Sequence, residues 1–487
     1  MPDGYAGETI FAPSTAPGRA GVAVIRVSGR QAGRALSALT GGDGAGGDGT
    51  GGGATATDLP APRLATLRSL RDPKSGEPID RALVLWFPAP QSFTGEDVAE
   101  LHLHGGRAVV AAVLAGLGGI PGLRPAEAGE FTRRAFDNGK LDLTAVEGLA
   151  DLIEADTEAQ RRQALRQMEG GLARLTDAWA ARLLRVLAHF EAAIDFADED
   201  LPEALDREAL DTAAGVASEI RAALADGRRG ERLREGLSAV ILGAPNAGKS
   251  SLMNAIARRE AAIVSTVAGT TRDVIEVHLD LGGYPVTLVD TAGLRAGPAG
   301  EDEGDNAEAG QWAIEHEGME RARRRAEAAD LKLLVFDITG GPGLPPEVLA
   351  LRDERSLLVL NKMDLGSPEE VAVARRALAG EDGVRGAGCF LVSAETGEGL
   401  SDLLAAMIER AGDCFANGMG LAEITRERHR RALEDCCASL EAAAAAALPE
   451  LVAEELRLAV RSLGRLTGRV DVEDLLDVVF SEFCIGK

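Results

Sequence analysis

Gly243-Ala-Pro-Asn-Ala-Gly-Lys-Ser250 is the stretch that decides how this chain folds. It has the G-x-x-x-x-G-K-[ST] spacing of a phosphate-binding loop. The apolar run Leu237–Leu242 before it predicts a buried strand, and Ser251–Ala257 after it predicts a helix. Glycines at these spacings let backbone N–H groups converge on phosphate oxygens, and the helix N-terminus adds its positive dipole end. The stretch therefore predicts a strand–loop–helix unit that binds a nucleotide.

The side chains of this loop have separate predicted roles. Lys249 can reach the β- and γ-phosphates, and the Ser250 hydroxyl is placed to bind Mg²⁺. A chance match in a glycine-rich chain is the alternative, and the motifs downstream argue against it. The other predicted nucleotide contacts of the loop are Asn246, Ala247, Gly248 and Ser251.

Val286-Thr-Leu-Val-Asp290 is an apolar run that ends in an acid, and Thr291-Ala292-Gly293 follows it. A strand that delivers Asp290 beside the phosphates is the arrangement that holds magnesium through water. Gly293 lets the backbone approach a γ-phosphate, so we assign Asp290, Thr291, Ala292 and Gly293 to the nucleotide site.

Two further motifs predict the base-binding side. Ser356–Leu360 predicts a strand that leads into Asn361-Lys362-Met-Asp364, and Cys389–Val392 predicts a strand that leads into Ser393-Ala394-Glu395. The Asp364 carboxylate can accept two parallel hydrogen bonds from guanine N1–H and the 2-amino group, a donor pair that adenine lacks. The motifs in this order predict a guanine-nucleotide-binding domain. The predicted base-side contacts are Asn361, Lys362, Asp364, Ser393, Ala394 and Glu395.

Length and composition limit the function classes. At 487 residues the chain is long enough for about three domains, and its hydrophobic fraction of 45% is sufficient for their cores. The net charge of −25 argues against a general nucleic-acid binder, because phosphate backbones need Lys and Arg. Any RNA contact must therefore be local, or be supplied largely by a partner.

Cysteine use and hydropathy favour a cytoplasmic protein. The 5 cysteines include no C-x-x-C pair, which is typical of a reducing compartment. The adjacent Cys436 and Cys437 lie in a helical pattern and are predicted to pack in its core. No signal peptide is visible, and the longest uncharged run, Ala108–Leu123, is too short to span a membrane.

The first 140 residues predict a mixed α/β domain. Residues 40–57 are nearly all Gly, Ala, Thr and Asp, which predicts a flexible insertion without a core. The predicted strands are Thr9–Ala12, Gly21–Val27, Ala82–Phe87 and Val98–His104, and the predicted helix is Ala108–Leu117.

Helical periodicity flanks the nucleotide-binding segment on both sides. One apolar stripe comprises Leu172, Leu175, Trp179, Leu183, Val186, Phe190 and Ile194, and a second comprises Val452, Leu456, Val460, Leu463 and Thr467. We therefore predict an α/β P-loop GTPase domain, residues 235–411, inserted in an α-helical domain. The helical domain comprises residues 141–234 and 412–487, and the mixed α/β domain of residues 1–140 precedes it.

Several motifs resemble the MnmE family of tRNA uridine-modification GTPases, also called TrmE. They are Gly21-Val-Ala-Val-Ile-Arg-Val-Ser-Gly29, Ser92-Phe-Thr-Gly-Glu-Asp97, Gly129-Glu-Phe-Thr-Arg-Arg-Ala-Phe136, Gly269-Thr-Thr-Arg-Asp273 and the final Cys484-Ile-Gly-Lys487. The resemblance covers all three domains in order. The chain departs from the family pattern at residues 40–57 and at an acidic, glycine-rich insertion at about 297–310.

The resemblance implies an N-terminal domain that dimerises and binds 5-formyl- or methylene-tetrahydrofolate. The family's folate contacts fall on Arg26, Glu100, Lys140 and Lys487. The chemistry fits, because a pterin presents N–H groups to a carboxylate and the folate tail is anionic. Without the resemblance, pairing with a surface acid is the favoured interpretation of Arg26, whereas Glu100 on a buried strand needs a partner.

The resemblance also implies a flavin- and NADH-dependent partner of the MnmG type, in a heterotetramer. Together they are expected to add a carboxymethylaminomethyl or aminomethyl group to the wobble uridine of certain tRNAs. GTP hydrolysis there drives a conformational change. The alternative is a GTP-operated assembly or regulatory switch without one-carbon chemistry, which the nucleotide motifs alone do not exclude.

Leu294 follows Asp290-Thr-Ala-Gly293, where many GTPases place a water-orienting glutamine. Leucine has no donor or acceptor, so another group must act. The resemblance implies a catalytic Glu315, with Glu317 as the neighbouring alternative, and a potassium ion. The potassium ligands would be Asn246, Ser265, the carbonyl of Val267, and Thr270, while Thr271 would bind Mg²⁺ and contact the nucleotide.

Two features remain open in the sequence. Cys484 in the C-terminal tail is placed by the resemblance near the reacting centre, where it could be a nucleophile, a proton carrier or a spacer. Arg457, Arg461, Arg465 and Arg469 recur at intervals of four on one helical face. A solvated face paired with acids is the favoured interpretation of these arginines, and a strip that contacts tRNA or the partner is the alternative.

Overall fold

The structure is a computed structural model. It describes residues 7–41, 59–195, 203–225, 228–259, 275–290, 324–340, 346–372, 388–416, 424–470, 476, 479–480, 483 and 486. The chain divides into two compact units. The first comprises Met1–Ala150, Gln167–Leu184 and Val460–Lys487, and the second comprises Asp151–Arg166 and Arg185–Ala459.

A six-stranded sheet organises the first unit. Its strands are β1 (Thr9–Pro13), β2 (Ala20–Ser28), β3 (Thr66–Arg71), β4 (Pro78–Phe87), β5 (Val98–Gly105) and β6 (Leu123–Pro125). They lie in the order β3-β4-β5-β2-β1-β6. Neighbouring strands are antiparallel, apart from the parallel pair β1 and β6.

Alternation along β2 separates a buried side of the strand from a partly exposed one. In β2, Ala23, Ile25 and Val27 are buried, while Arg26 between them is partly exposed. Ile25 and Val27 join a core that also includes side chains of helices α1 (Ala32–Thr40) and α2 (Arg107–Gly118). Because successive side chains of a strand point to opposite faces, Arg26 lies on the face away from this core.

Helices dominate the chain between the two sheets. They are α3 (Glu130–Asp137), α4 (Leu143–Glu154), α5 (Glu158–Met168), α6 (Gly171–Asp195), α7 (Glu203–Leu224) and α8 (Arg229–Glu235). Most of the predicted stripe of α6 is core, since Trp179, Leu183 and Phe190 are each at most 4% exposed, while Leu175 and Ile194 at its edges are partly buried. Its apolar period of three to four residues keeps these side chains on one face of the helix.

The second sheet is nearly all parallel. Its strands are β7 (Leu237–Gly243), β8 (Ile275–Leu281), β9 (Tyr284–Asp290), β10 (Leu331–Asp337), β11 (Ser356–Asn361) and β12 (Cys389–Leu391). They lie in the order β12-β11-β10-β7-β9-β8, and only the pair β8 and β9 among them is antiparallel.

Apolar clusters cover both faces of this sheet, which is why its strands are continuous apolar runs in the sequence. The helices around it include α9 (Lys249–Arg259), α10 (Pro346–Leu349) and α11 (Leu400–Ala416). In parallel sheets the loops after the carboxyl ends of the strands meet at one edge. The described residues of the four predicted nucleotide motifs end or follow β7, β9, β11 and β12 and therefore lie at the same edge.

The chain enters and leaves this sheet at neighbouring points of the second unit. Oδ1 of Asp151 accepts hydrogen bonds from Nε of Arg234 at 3.0 Å and from Nη2 of Arg426 at 2.8 Å. Arg234 lies just before β7, and Arg426 precedes the returning helix α12 (Glu427–Ala445). A Cβ at Gly230 would overlap the carbonyl oxygen of Ile424, so the two crossing segments are in close contact.

Helix α12 and the following helix α13 (Pro449–Thr467) confirm the second helical segment. In α13, Val452, Leu456 and Leu463 of the predicted stripe are at most 4% exposed, and Cys436 and Cys437 of α12 are buried, as predicted. No helix of the described ranges is long and apolar enough to cross a membrane.

The predicted strands and helices of both sheets are confirmed, with ends that differ by a few residues. The fold class is also confirmed, with a P-loop sheet between two helical segments and a mixed α/β region before them. Positions 42–57 and 297–310 of the two predicted insertions lie outside the described residues.

Candidate functional site

The phosphate-binding loop lies between β7 and α9, as its spacing predicts. Gly248 has a φ of +89°, and a Cβ there would overlap Nδ2 of Asn361, so only glycine fits. Nζ of Lys249 donates to the carbonyl oxygens of Gly243 at 3.0 Å and Ala244 at 2.9 Å. The loop therefore closes around a buried ammonium group.

Ser250 and Asp290 meet at the end of β9. Oγ of Ser250 donates to Oδ2 of Asp290 at 2.6 Å. Asp290 is fully buried, and its strand pairs in parallel with β7, where Ile241 is its register partner. A hydroxyl oxygen beside a carboxylate is the hard donor set that Mg²⁺ prefers, so these residues fit a magnesium ion. Thr271, the other predicted magnesium ligand, lies outside the described residues.

One side chain joins the phosphate side of the site to the base side. Nδ2 of Asn361 donates to the carbonyl oxygen of Ala247 at 2.9 Å. Its Oδ1 accepts from the backbone N–H of Ala394 at 3.1 Å. Asn361 is 1% exposed, so this amide holds the two loops in a fixed relation.

The remaining base-side residues stand beside Asn361. Asp364 is exposed and Lys362 is partly exposed, while in the other loop Ser393 is buried and Glu395 is exposed. The backbone N–H of Met363 donates to the carbonyl oxygen of Val392 at 3.3 Å, which places the two base loops side by side. The structure thus brings the described nucleotide residues together at one edge of the sheet.

Asn246 of the phosphate-binding loop and Ser251 directly after this loop are both exposed, and Asn246 has a φ of +65°. Several other predicted residues of the nucleotide, potassium and catalytic sites lie outside the described residues: Ser265, Val267, Thr270, Thr271, Thr291, Ala292, Gly293 and Glu315.

In the first unit, Arg26 and Glu100 are register partners on β2 and β5. Nη2 and Nε of Arg26 donate to Oε1 of Glu100 at 2.9 Å and 3.1 Å, and the two side chains are 20% and 18% exposed. His102 lies beside them, with Nε2 at 3.4 Å from Oε2 of Glu100. The guanidinium of Arg26 also lies over the rings of Phe93 and Phe131, at 5.1 Å and 5.8 Å from their centroids.

The loop 92–97 connects this pair to Lys140. Phe93 of the loop covers Arg26, and Gly95 packs beside the stem of Lys140. Nζ of Lys140 donates to the carbonyl oxygen of Pro90 at 2.9 Å. The three described residues predicted for folate therefore border one loop. A paired carboxylate and guanidinium that remain partly exposed fit a ligand with both N–H donors and anionic groups.

The C-terminal tail reaches the same sheet. Oγ of Ser14 donates to the carbonyl oxygen of Gly486 at 3.0 Å. Gly486 has a φ of +102°, and a Cβ there would overlap the carbonyl oxygen of Pro13. Ala12, next to Pro13 on β1, is the register partner of Arg26. Cys484 and Lys487 of the tail lie outside the described residues.

Sequence reasoning missed an ionic network under the loop 92–97. Arg134 donates to Glu96 at 3.0 Å and to Glu130 at 2.9 Å, and Ser28 donates to Glu96 at 2.8 Å. Burial opposes ionisation of Glu130, but hydrogen bonds from Arg124 and Arg134 hold its pKa below the usual value. The signal was available, because Glu96 and Arg134 belong to two of the motifs that resemble the family.

Two arginines of the predicted strip are paired with acids, Arg457 on α13 and Arg469 just after this helix. Arg457 donates to Glu191 at 2.9 Å and to Glu454 at 2.9 Å, and Arg469 forms an ion pair with Asp177 at 2.8 Å. These contacts favour the interpretation of the strip as a solvated face.

Comparisons with known proteins agree with this arrangement. A family model described as "GTP-binding protein TrmE N-terminus" matches residues 9–140, and one described as "MnmE helical domain" matches residues 143–484. The chain is 55% identical to the "tRNA modification GTPase MnmE" of Parvibaculum lavamentivorans, over 99% of this chain and 100% of that protein.

Two further relatives carry the same name. That of Methylobacterium sp. is 56% identical, over 99% of this chain and 100% of its own length. That of Rhodospirillum rubrum is 52% identical, over 99% of each chain. Matches of this identity and coverage, together with a P-loop sheet set between helical segments, mean that the chain belongs to the MnmE family of tRNA modification GTPases.

Proposed function

We propose that this chain hydrolyses GTP and modifies the wobble uridine of certain tRNAs together with a flavin- and NADH-dependent partner of the MnmG type. The modification adds a carboxymethylaminomethyl or aminomethyl group, and 5-formyl- or methylene-tetrahydrofolate supplies the one-carbon unit. Family membership supports the GTPase and tRNA parts. The observation that carries the folate part is the Arg26–Glu100 pair, close to the strand on which the tail packs at Gly486.

At the nucleotide site, Lys249 offsets phosphate charge and Asp364 selects guanine. Ser250 and Thr271 would hold Mg²⁺, which when bound neutralises charge on the phosphates. Thr291, Ala292 and Gly293 would contact the γ-phosphate end. The hydrogen bond between Ser250 and Asp290 supports this assignment, because it places two hard oxygen donors beside the phosphate loop.

Hydrolysis needs a group that orients the attacking water, and Leu294 has none. We assign this role to Glu315. A potassium ion would offset phosphate charge, held by Asn246, Ser265, the carbonyl of Val267, and Thr270. In this proposal the chain is a cytoplasmic homodimer joined through its N-terminal domains, and GTP hydrolysis drives a conformational change within the heterotetramer.

At the one-carbon site, Glu100 would accept the N–H groups of the pterin. Arg26, Lys140 and Lys487 would bind the anionic part of the folate. Cys484 would lie near the reacting centre. The aromatic rings over Arg26 and the network under the loop 92–97 support a rigid site of this kind, because both restrict the conformations of its residues.

Folate binding tests this proposal. Glu100→Gln keeps the shape of the side chain but removes its charge, so tetrahydrofolate should bind roughly 10- to 100-fold more weakly and tRNA modification should stop. Glu8→Gln is the control, since Glu8, just before β1, also pairs with an arginine, Arg124 of β6, at 2.7 Å. Equal tetrahydrofolate affinity in wild type and Glu100→Gln would contradict the folate assignment.

Rates of GTP hydrolysis in potassium and in sodium chloride test the catalytic part. We expect faster turnover in potassium, and Glu315→Ala should slow turnover without weakening GTP binding. Glu317→Ala is the comparison variant. Equal rates in the two salts would refute the potassium assignment, and a larger loss at Glu317 would move the catalytic role there.

A further inference from the structure

Asp337 ends β10 at the nucleotide edge of the second sheet and belongs to none of the nucleotide motifs. Its Oδ2 accepts a hydrogen bond from Nζ of Lys362 at 2.6 Å. Its Oδ1 accepts from the backbone N–H of Thr339 at 2.9 Å and from Oγ1 of Thr339 at 2.7 Å. Both carboxylate oxygens are therefore engaged, and the carboxylate has a fixed orientation.

The carboxylate is ionised at neutral pH. Partial burial opposes ionisation, but hydrogen bonds from Lys362 and Thr339 hold the pKa of Asp337 below its usual value. The side chains of Asp337 and Lys362 are 24% and 30% exposed, so salt and solvent weaken the interaction of this pair less than that of a fully exposed ion pair.

Lys362 passes between Asp337 and the phosphate loop. Asp337 and Asn361 are register partners on the parallel strands β10 and β11, so Lys362 begins beside Asp337. A Cβ built on Gly248 would lie 3.9 Å from Cε of Lys362, so the methylene stem runs alongside the phosphate loop. The backbone of Lys362 has a φ of +64°, a conformation that costs a non-glycine residue about 1–2 kcal/mol.

The methylene stem of Lys362 therefore lies where a bound nucleotide would pass between the phosphate loop and the base-binding loops. A ligand whose phosphates lie in the loop at Gly248 and whose base reaches Asp364 must cross the stem of Lys362, which lies two residues before Asp364. Without Asp337, the ammonium group would be free to swing, and the stem would lose its fixed position. Ordering a lysine side chain is costly because it gives up rotamer freedom, so an anchor that orders it in advance favours binding.

We propose that Asp337 is a positioning residue for guanine nucleotides, which anchors Lys362 so that its methylene stem forms one wall of the base pocket. Asp337 acts through Lys362 and does not itself touch the ligand. This inference rests on the nucleotide site of the proposed function and adds to it a residue outside the recognition motifs.

The main test is nucleotide affinity in Asp337→Asn, which keeps the shape of the side chain and removes its charge. Binding of a fluorescent GDP analogue and of GTP should weaken about fivefold, the upper range for a partly exposed ion pair. The KM for GTP should rise by the same factor, and kcat at saturating GTP should stay the same. Affinity for ITP should fall in proportion, because the stem faces the ring and not the 2-amino group.

The matched control is Asp353→Asn. Asp353 accepts from Nζ of Lys332 at 2.8 Å near the opposite end of β10, so it forms a second Lys–Asp pair in the same sheet. This variant should lower the temperature of unfolding but leave nucleotide affinity unchanged. Equal losses of affinity in the two variants would mean that Asp337 acts only through stability, and the proposal would be overturned.

A double-mutant cycle provides an independent test. Lys362→Met keeps most of the stem and removes the charge that Asp337 binds. Adding Asp337→Asn to Lys362→Met should produce no further loss of affinity, whereas full additivity of the two losses would overturn the proposal. Failure of the wild type to bind the GDP analogue would refute the nucleotide site as well. Binding by the wild type with an equal dissociation constant in Asp337→Asn would refute this inference alone.

Discussion

Asp364 is exposed after β11, and a backbone hydrogen bond from Met363 to Val392 holds its loop against the neighbouring one. Asp364→Asn replaces one acceptor with a donor, so it should lose the paired guanine contact and favour xanthine, which offers an acceptor at that position. A bidentate base contact contributes about 1–3 kcal/mol, so GTP affinity should fall roughly 5- to 150-fold. Competition between GTP and XTP for the variant measures the switch, and a retained preference for GTP would refute the assignment.

The cysteines of the second unit should differ sharply in reactivity. Burial, with a smaller contribution from the adjacent Cys437, raises the pKa of the Cys436 thiol to about 12. Because the thiolate is the reactive form, Cys436 should stay unmodified by iodoacetamide at pH 8. Cys389 is exposed and should be modified in the folded protein. Peptide mass spectrometry before and after denaturation checks this order, and modification of folded Cys436 at the rate of Cys389 would contradict it.

At the scale of single elements, α6 offers two neighbouring leucines with opposite environments. Leu183 is fully buried, whereas Leu184 is 50% exposed. Leu183→Ala should lower the free energy of unfolding by about 2–5 kcal/mol, and Leu184→Ala should change it by about 0.5 kcal/mol or less. Urea unfolding followed by circular dichroism measures both variants. Similar losses would show that the apolar period does not define the core face of this helix.

The strands and helices were predictable because their signals are local. A parallel strand that is buried on both faces must be a continuous apolar run, so the segments before Gly243 and Asn361 could be assigned from composition alone. The phosphate loop was predictable for a similar reason, since its glycine, lysine and serine spacing is fixed by the phosphate geometry.

Pairs of side chains that meet across the fold were harder to predict from the sequence. Asp337 and Lys362 meet only because the parallel strands β10 and β11 bring them together, and Glu96 of the loop 92–97 meets Arg134 of α3 only in the folded chain. The pairing of Arg26 with Glu100 depends on the register of β2 and β5, and hydrophobic alternation gives the face but not the register. A single sequence therefore indicates which residues of a buried strand are polar, but not which residues pair with them.

At the scale of the whole molecule, the tail and the nucleotide site are expected to separate in function. Gly486→Ala should displace the tail, because a Cβ there would overlap the carbonyl oxygen of Pro13. Gly76→Ala is the matched control: Gly76 also has a positive φ, +73°, but no other atom lies within 4 Å of its added Cβ. Both variants incur the backbone strain of about 1–2 kcal/mol, and only Gly486→Ala adds a clash.

We expect Gly486→Ala, like deletion of residues 484–487, to abolish tRNA modification and weaken tetrahydrofolate binding while GTP hydrolysis continues. Reconstituted modification, tetrahydrofolate titration and phosphate release measure the three activities. Normal modification by the truncated protein would refute a role for the tail, and a parallel loss of GTP hydrolysis would indicate that the tail supports the fold as a whole.

The contact of Gly230 with Ile424, reinforced by Asp151, has a consequence for the history and the engineering of this fold. The nucleotide domain is an insertion in the helical domain, and the two segments that flank it, at Gly230 and Ile424, are already in contact. The entropic cost of closing a loop grows only logarithmically with its length, by about 0.6 kcal/mol per doubling. The helical domain could therefore accept a complete inserted domain at little cost to its own stability. The same geometry makes the nucleotide domain an exchangeable cassette, because a related GTPase domain with equally close termini could replace it without moving the helices on either side.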